Sequence, residues 1–381
     1  MRRALRPGAL PAALLLALLL PLAGCESIAY LAQASSGQSK LLLARRPIEA
    51  VIADPASTPE LRARLDLVRA LRAYAARELG MDEREGFDSF AASGRRYVVW
   101  NVVAAPEFSV TPLAWCFPVA GCVSYRGYFD EAAARRFADA LGREGRETWV
   151  YGVAAYSTLG WFDDPVLDTW VMRSERFVAA LVFHELAHQV LYVPGDTAFS
   201  ESFASVVERE GLRRWLLERG DAAAYADYLL ERERGEAVDA LLAKTREELA
   251  TLYAQTLSPG EMRELKAQRF ARLREEYALL AAGWAEGPRP GAWIAGPLDN
   301  ARLAGAANYA AHTARLESLL EAEGGDLPRF YAAAKALAAR SPRRSGPCPR
   351  SLPVGAGHAR ELIPRGGNAI RDPLRCSLPA K

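Results

Sequence analysis

The polar and apolar positions of the chain change period along its length. Behind Arg2, Arg3 and Arg6, the run ALPAALLLALLLPLAG is almost wholly apolar and ends at Cys25. SIAYLAQASSGQSKLLLARR then carries enough apolar residues for a short helix, with Ser35-Ser36-Gly37 predicting an interruption. STPELRARLDLVRALRAYAARELGM has a Ser/Thr-Pro-Glu start and leucines at helical spacing up to Gly80, so residues 26 to 83 read as a packed helical pair. RRYVVWNVVAA (95–105) and TWVYGVAAY (148–156) are dense in β-branched and aromatic residues and predict strands. WCFPVAGCVSYRGYF between them reads as a constrained hairpin or loop, and EAAARRFADALGREG (131–145) as a connecting helix. From Ser174 the pattern is helical: SERFVAALVFHELAHQVLY, ESFASVVEREGLRRWLLER, and segments over 221–283, 296–321 and 326–340 separated by Gly and Pro. After Arg340 the chain is rich in Pro, Gly and Arg without a sustained period. The expected fold is α+β and mostly helical, with a small β-sheet and additional C-terminal helices. Its expected units are a signal segment 1–24, one domain 25–340 and an irregular tail 341–381.

The apolar run at the start is too short for a membrane span. A basic head, an apolar core and Leu22-Ala23-Gly24-Cys25 in that order resemble the bacterial lipobox, which implies cleavage before Cys25 and attachment of diacylglycerol to it. Such a protein is anchored in the cell envelope and faces the periplasm, and Glu26 after the cysteine leans towards the outer membrane. Without Cys25, four cysteines remain, an even set suited to an oxidising compartment. Cys116 with Cys122 and Cys348 with Cys376 is the simplest pairing, and the spacings are unlike a zinc ribbon. Half of the residues are hydrophobic and a quarter charged, an ordinary globular balance. The formal charge of +2, with both signs interspersed, gives no footprint for nucleic acid.

Chemistry concentrates in His184-Glu185-Leu186-Ala187-His188. Two histidines four apart on a helix share one face, so both imidazoles can reach one metal ion. Glu185 then stands beside that ion, placed to take a proton from water and return it to a leaving amine. Val178, Leu181, Val182, Leu186, Val190 and Leu191 predict that this helix packs on one side. A catalytic zinc site needs a third protein ligand and an open fourth position. Asp196, Glu201 and Glu208 are the candidates. Glu201 is favoured, because the Pro194-Gly195-Asp196 turn folds the start of the next helix back on the first. Glu208, two turns on, is a rival ligand or a support for one, and Asp196 either orients a histidine or caps the turn. An oxyanion donor is also needed, and Tyr125, Arg126, Tyr128, Tyr309 and His312 are candidates.

HELAHQ followed by DTAFSESFA, with WCFPVAGCVSYRGYF and YSTLGWFDDPVL, resembles the bacterial putative-aminopeptidase family of zinc peptidases. The resemblance spans most of residues 25–340, and the segment Asn300-Ala-Arg-Leu echoes it. It implies a gluzincin-like two-helix site with one zinc ion, a peptide substrate and an aminopeptidase activity. In ESFA, Glu201 matches the position of the gluzincin ligand glutamate. Ser200 stands where the family has Asn, a change expected to be tolerated at a helix cap. By the same resemblance, an edge strand before the metal helix aligns the substrate, with Tyr151, Tyr156 and Trp161 as wall residues or core. The alternative is a non-catalytic envelope scaffold or binding lipoprotein that keeps the metal helix as structure.

Overall fold

The computed structural model describes residues 25–82, 86–117, 121–157, 164–193, 196–306, 312–340 and 358–360. Helix α1 (Cys25–Leu43) runs without the interruption expected at Ser35-Ser36-Gly37. Gly37 is there for space: a Cβ at this position would lie 2.1 Å from the ring of Phe129. After β1 (Arg46–Pro47) and α2 (Ile48–Ala53), helix α3 (Pro59–Leu79) begins where its sequence says. The Thr58 side chain accepts the Leu61 N–H, Pro59 occupies the first turn, and Gly80 closes the helix with a left-handed φ of 67°.

Strands β2 (Ser89–Ala91), β3 (Val99–Pro106), β4 (Trp115–Phe117), β5 (Gly121–Val123) and β6 (Arg126–Tyr128) follow, then helix α4 (Glu131–Arg143) and β7 (Arg146–Val153). The main sheet is antiparallel in the order β6-β3-β7, with Trp100 opposite both Tyr128 and Gly152. Alternation along the strands gives it two covered faces. Val99, Val103, Ala105, Trp149, Tyr151 and Val153 join the main core. Val102, Ala104 and Tyr128 meet Ala134, Ala138 and Leu141 of α4 in a smaller one. Strands β8 (Ala155–Ser157) and β9 (Val166–Leu167) continue the chain, and β9 pairs parallel with β2, which pairs antiparallel with β1. The tail contributes more than irregular chain, since β10 (His358–Arg360) pairs antiparallel with β8.

The helical part comprises α5 (Asp168–Val171), α6 (Glu175–Val190), α7 (Thr197–Glu218), α8 (Ala222–Tyr253), α9 (Pro259–Ala282), α10 (Asn300–Gly305), α11 (Thr313–Ala322) and α12 (Leu327–Arg340). The two N-terminal helices do not form the expected pair: α1 lies on β6, whereas α3 packs on α6. Residues 177–188 of α6 are all buried, so this helix is enclosed on every side, not packed on one as its larger apolar residues suggest. Helices α8 and α9 form a hairpin with its own core of Val238, Leu242, Leu249, Phe270, Leu273 and Tyr277. Among the described residues, no helix is long and apolar enough to cross a membrane.

Asn300 joins that hairpin to the sheet. Its amide donates to the carbonyls of Glu107 at 2.8 Å and Pro106 at 3.3 Å, and accepts from the Tyr253 hydroxyl at 3.0 Å. Its backbone N–H donates to Glu147, which Lys266 also meets. The segment that echoes the family thus begins at a buried structural joint, where the amide and backbone N–H of Asn300 are both used.

Gly211 marks the closest approach of α7 to its neighbours. A Cβ there would lie 2.8 Å from Leu79 Cδ1 and 3.0 Å from Phe183 Cδ2, both side chains fully buried. Gly211→Ala gains roughly 1 kcal/mol of helix propensity, yet overpacking a filled core costs typically 1–3 kcal/mol. The variant is expected to melt below the wild type in a calorimetric scan, and a raised melting temperature would contradict this packing.

Candidate metal centre

Ser174 caps α6 by accepting the Phe177 N–H at 3.3 Å, and the helix carries His184 and His188 one turn apart with ring centroids 4.9 Å from each other. At Leu191 the backbone turns extended and the helix ends. Asp196 then caps α7, its carboxylate accepting the Phe199 N–H at 3.0 Å. Ser200 lies inside the first turns of α7 and is not the cap. Its hydroxyl accepts the Val193 N–H and donates to the Asp196 carbonyl, both at 3.0 Å, which ties the α6–α7 connection to the helix it feeds. Those bonds bring the next residue, Glu201, onto the histidines.

His184 Nε2 is 3.4 Å from one oxygen of Glu201, and His188 Nε2 is 3.5 Å from the other. One donor atom from each of the three residues lies within 4.8 Å of the others, a group that could hold a metal ion. Zinc bonds of about 2.1 Å in a tetrahedron place donors roughly 3.4 Å apart, so the two imidazoles and the carboxylate fit such an ion. Behind them, His184 Nδ1 meets Glu208 Oε2 at 2.8 Å. A carboxylate only accepts, so Nδ1 carries the proton and Nε2 keeps its lone pair for the ion.

The cluster is deep in the protein. His184, Glu185, His188, Glu201, Ser202 and Glu208 are all buried. Burying so many ionisable groups costs stability unless charges are paired or bind a cation, and such clusters concentrate at functional sites.

The remaining candidates separate. Asp196 is spent as the α7 cap and neither binds with the cluster nor orients its histidines. Arg126 and Tyr128 stand on the α4 side of the sheet: the Arg126 guanidinium lies 4.5 Å from the Phe137 ring centre, and the Tyr128 ring 5.6 Å from it. Strand parity thus sends them away from the core that holds the histidines, and they serve as packing. Tyr125 and Tyr151 do belong to that core, and the Tyr151 hydroxyl meets the Asn101 amide at 3.2 Å. His312 packs its ring 5.7 Å from that of Phe199, two residues before Glu201. Tyr309, Trp161, the Tyr156 side chain, Pro194, Gly195, Cys348 and Cys376 lie outside the described residues, as does the Cys25 side chain. Strands β4 and β5 set Cys116 opposite Cys122.

Sequence reasoning misses Tyr192, whose ring stands edge-on to His188 at 6.3 Å. The signal was its four-residue interval from His188, hidden because the helix ends between them. A cavity of about 770 Å³ bounded by Val206, Arg209, Glu210, Arg213, Tyr228 and Glu317 lies elsewhere on α7 and contains none of the three candidate ligands.

A family model described as "Putative aminopeptidase" matches residues 29–346, most of the chain. The chain belongs to this family. Membership carries the description of a peptidase, and the match includes α1 from residue 29 onward, the sheet, both helices of the metal cluster and α12. No curated protein and no solved structure matches the chain.

Proposed function

We propose that the protein is a zinc-dependent peptidase of the bacterial envelope, exported by its first 24 residues and held to the membrane by lipid on Cys25. The observation that carries the catalytic reading is the convergence of His184, His188 and Glu201 beside Glu185, within a chain of a family described as aminopeptidases. His184, His188 and Glu201 would hold the ion, with Glu208 fixing the tautomer of His184. Zinc, when bound, supplies a Lewis acid that polarises the scissile carbonyl and activates water at neutral pH.

Glu185 follows His184 on the same helix and is buried. It takes the proton of the attacking water and delivers it to the leaving amine. Tyr192 beside His188, and His312 beside Phe199, supply the candidate donors for the oxyanion. An extended peptide substrate lies along an edge strand, as in the gluzincins that the chain resembles. A Cys116–Cys122 bridge, supported by their opposed register, suits export to an oxidising compartment. An enzyme, not a metal-containing scaffold, is favoured because a closed structural zinc site has no use for Glu185.

The test uses purified protein and a peptide offered with a free and with an acetylated N-terminus. Hydrolysis that a chelator abolishes and zinc restores is expected, with the free peptide turned over faster. Equal turnover would keep the peptidase and remove the aminopeptidase, and hydrolysis indifferent to chelator would remove the metal reading.

A further inference from the structure

A lipid anchor is ordinarily followed by a stretch of polar chain that lets a domain range over the membrane. Here helix begins at Cys25 itself. Five residues later that helix is already fastened to the folded body, a rise of about 7.5 Å at 1.5 Å per residue. The Tyr30 ring meets Tyr128 edge-on at 5.4 Å, and the Arg126 guanidinium lies 4.1 Å from its centre. Burial pushes the Tyr30 phenol up to about 12, against the pull of Arg126 and a backbone hydrogen bond at Gly127.

One turn on, Gln33 does the work of a fourth strand. Its amide nitrogen donates to the Gly127 carbonyl at 3.3 Å, and its amide oxygen accepts the Phe129 N–H at 3.0 Å. Gly127 lies in β6, the strand that ends the sheet, and Phe129 directly follows it; the glutamine pairs both groups at this edge. Gly37 then lets the helix backbone onto the Phe129 ring, and Leu41 is buried in the main core. Tyr30, Gln33, Gly37 and Leu41 recur at helical spacing and make one continuous docking face. The family match begins at residue 29, so this face lies inside the matched region.

We infer that α1 is a strut. The lipidated cysteine and the peptidase body form one rigid piece, and the partner of the end at which Cys25 stands is the lipid surface itself. The domain therefore sits on the bilayer in a single orientation, and its substrates are polypeptides that come within the protein's own reach of the membrane. This rests on the lipoprotein reading of Cys25, which the experiment checks separately.

Mature protein is purified from membranes, its N-terminal peptide is weighed for diacylglycerol, and the protein is reconstituted in vesicles of phosphatidylethanolamine and phosphatidylglycerol. A fluorophore is attached through Leu279→Cys, an exposed position on α9 outside the site. Time-resolved anisotropy is compared with a variant carrying twenty Gly/Ser residues between Glu26 and Ser27, which leaves every docking contact in place. A strut holds residual anisotropy high in the parent, roughly twofold above the linker variant, whose domain tumbles on the nanosecond scale. Tyr30→Ala with Gln33→Ala is expected to fall between the two. Lipidated parent protein that tumbles as freely as the linker variant would overturn the strut alone. An N-terminus without lipid would overturn the anchor and the strut together.

Discussion

Glu185→Gln is expected to bind one zinc ion per chain like the parent and to lose peptide hydrolysis by about 10²–10⁴-fold in kcat, the usual worth of a positioned general base. The substitution changes one oxygen for an amide nitrogen at a buried position of α6, so the helix and its neighbours have no reason to move. Gln accepts no proton from water and has none to give the departing amine. The three candidate ligands remain, which is why metal content and activity should part company. KM should change little, because Glu185 is asked to act on the reaction and not on binding. Metal content by atomic emission and kcat with a fluorogenic peptide decide it. A metal-replete variant with parental kcat would remove Glu185 from the mechanism.

The second large effect separates two glutamates of one helix. Glu201 faces both Nε2 atoms at 3.4 and 3.5 Å, whereas Glu208 meets the far nitrogen of His184. Glu201→Gln removes one of the three candidate ligands and is expected to leave the purified protein without zinc and without activity. Glu208→Gln keeps all three candidate ligands and still offers an oxygen to the Nδ1 proton, so a loss of about 10–100-fold in metal affinity is expected, recoverable with added zinc. Titration of the apoprotein with zinc, read by competition with a chromophoric chelator, gives both affinities. Equal affinities in the two variants would show that the ligand is shared between them or lies elsewhere.

Much of this was legible in short-range chemistry. The four-residue interval of the histidines needs only helix geometry, and α3 announces itself by Thr58, Pro59 and Gly80. Other features depend on partners far along the chain. Enclosure of α6 rests on Ala179, Ala180 and Ala187, small residues that add nothing to an amphipathic period but let neighbouring helices close in. Arg126 and Tyr128 look available for catalysis until pairing with Trp100 and Val102 fixes the face they occupy. One residue of register would reverse that.

Ser200 is subtler. As a residue before a glutamate it reads as a cap, yet the cap is four residues earlier and the hydroxyl closes a loop onto Val193. Helix α1 reads as broken at its serines and glycine, because their weak propensity is visible and the ring of Phe129 that uses the gap is not. The division between Glu201 and Glu208 likewise needs the angle at which α7 returns to α6.

The central claim is a zinc ion held by three residues with a fourth position open to water. Anomalous diffraction at the zinc absorption edge, on crystals of the mature protein grown with zinc, tests it most directly. One peak is predicted, about 2.0–2.2 Å from His184 Nε2, His188 Nε2 and a Glu201 oxygen, with no fourth protein ligand and Glu208 on the far side of His184. A peak bound elsewhere, four protein ligands around it, or no peak at these residues would contradict the account.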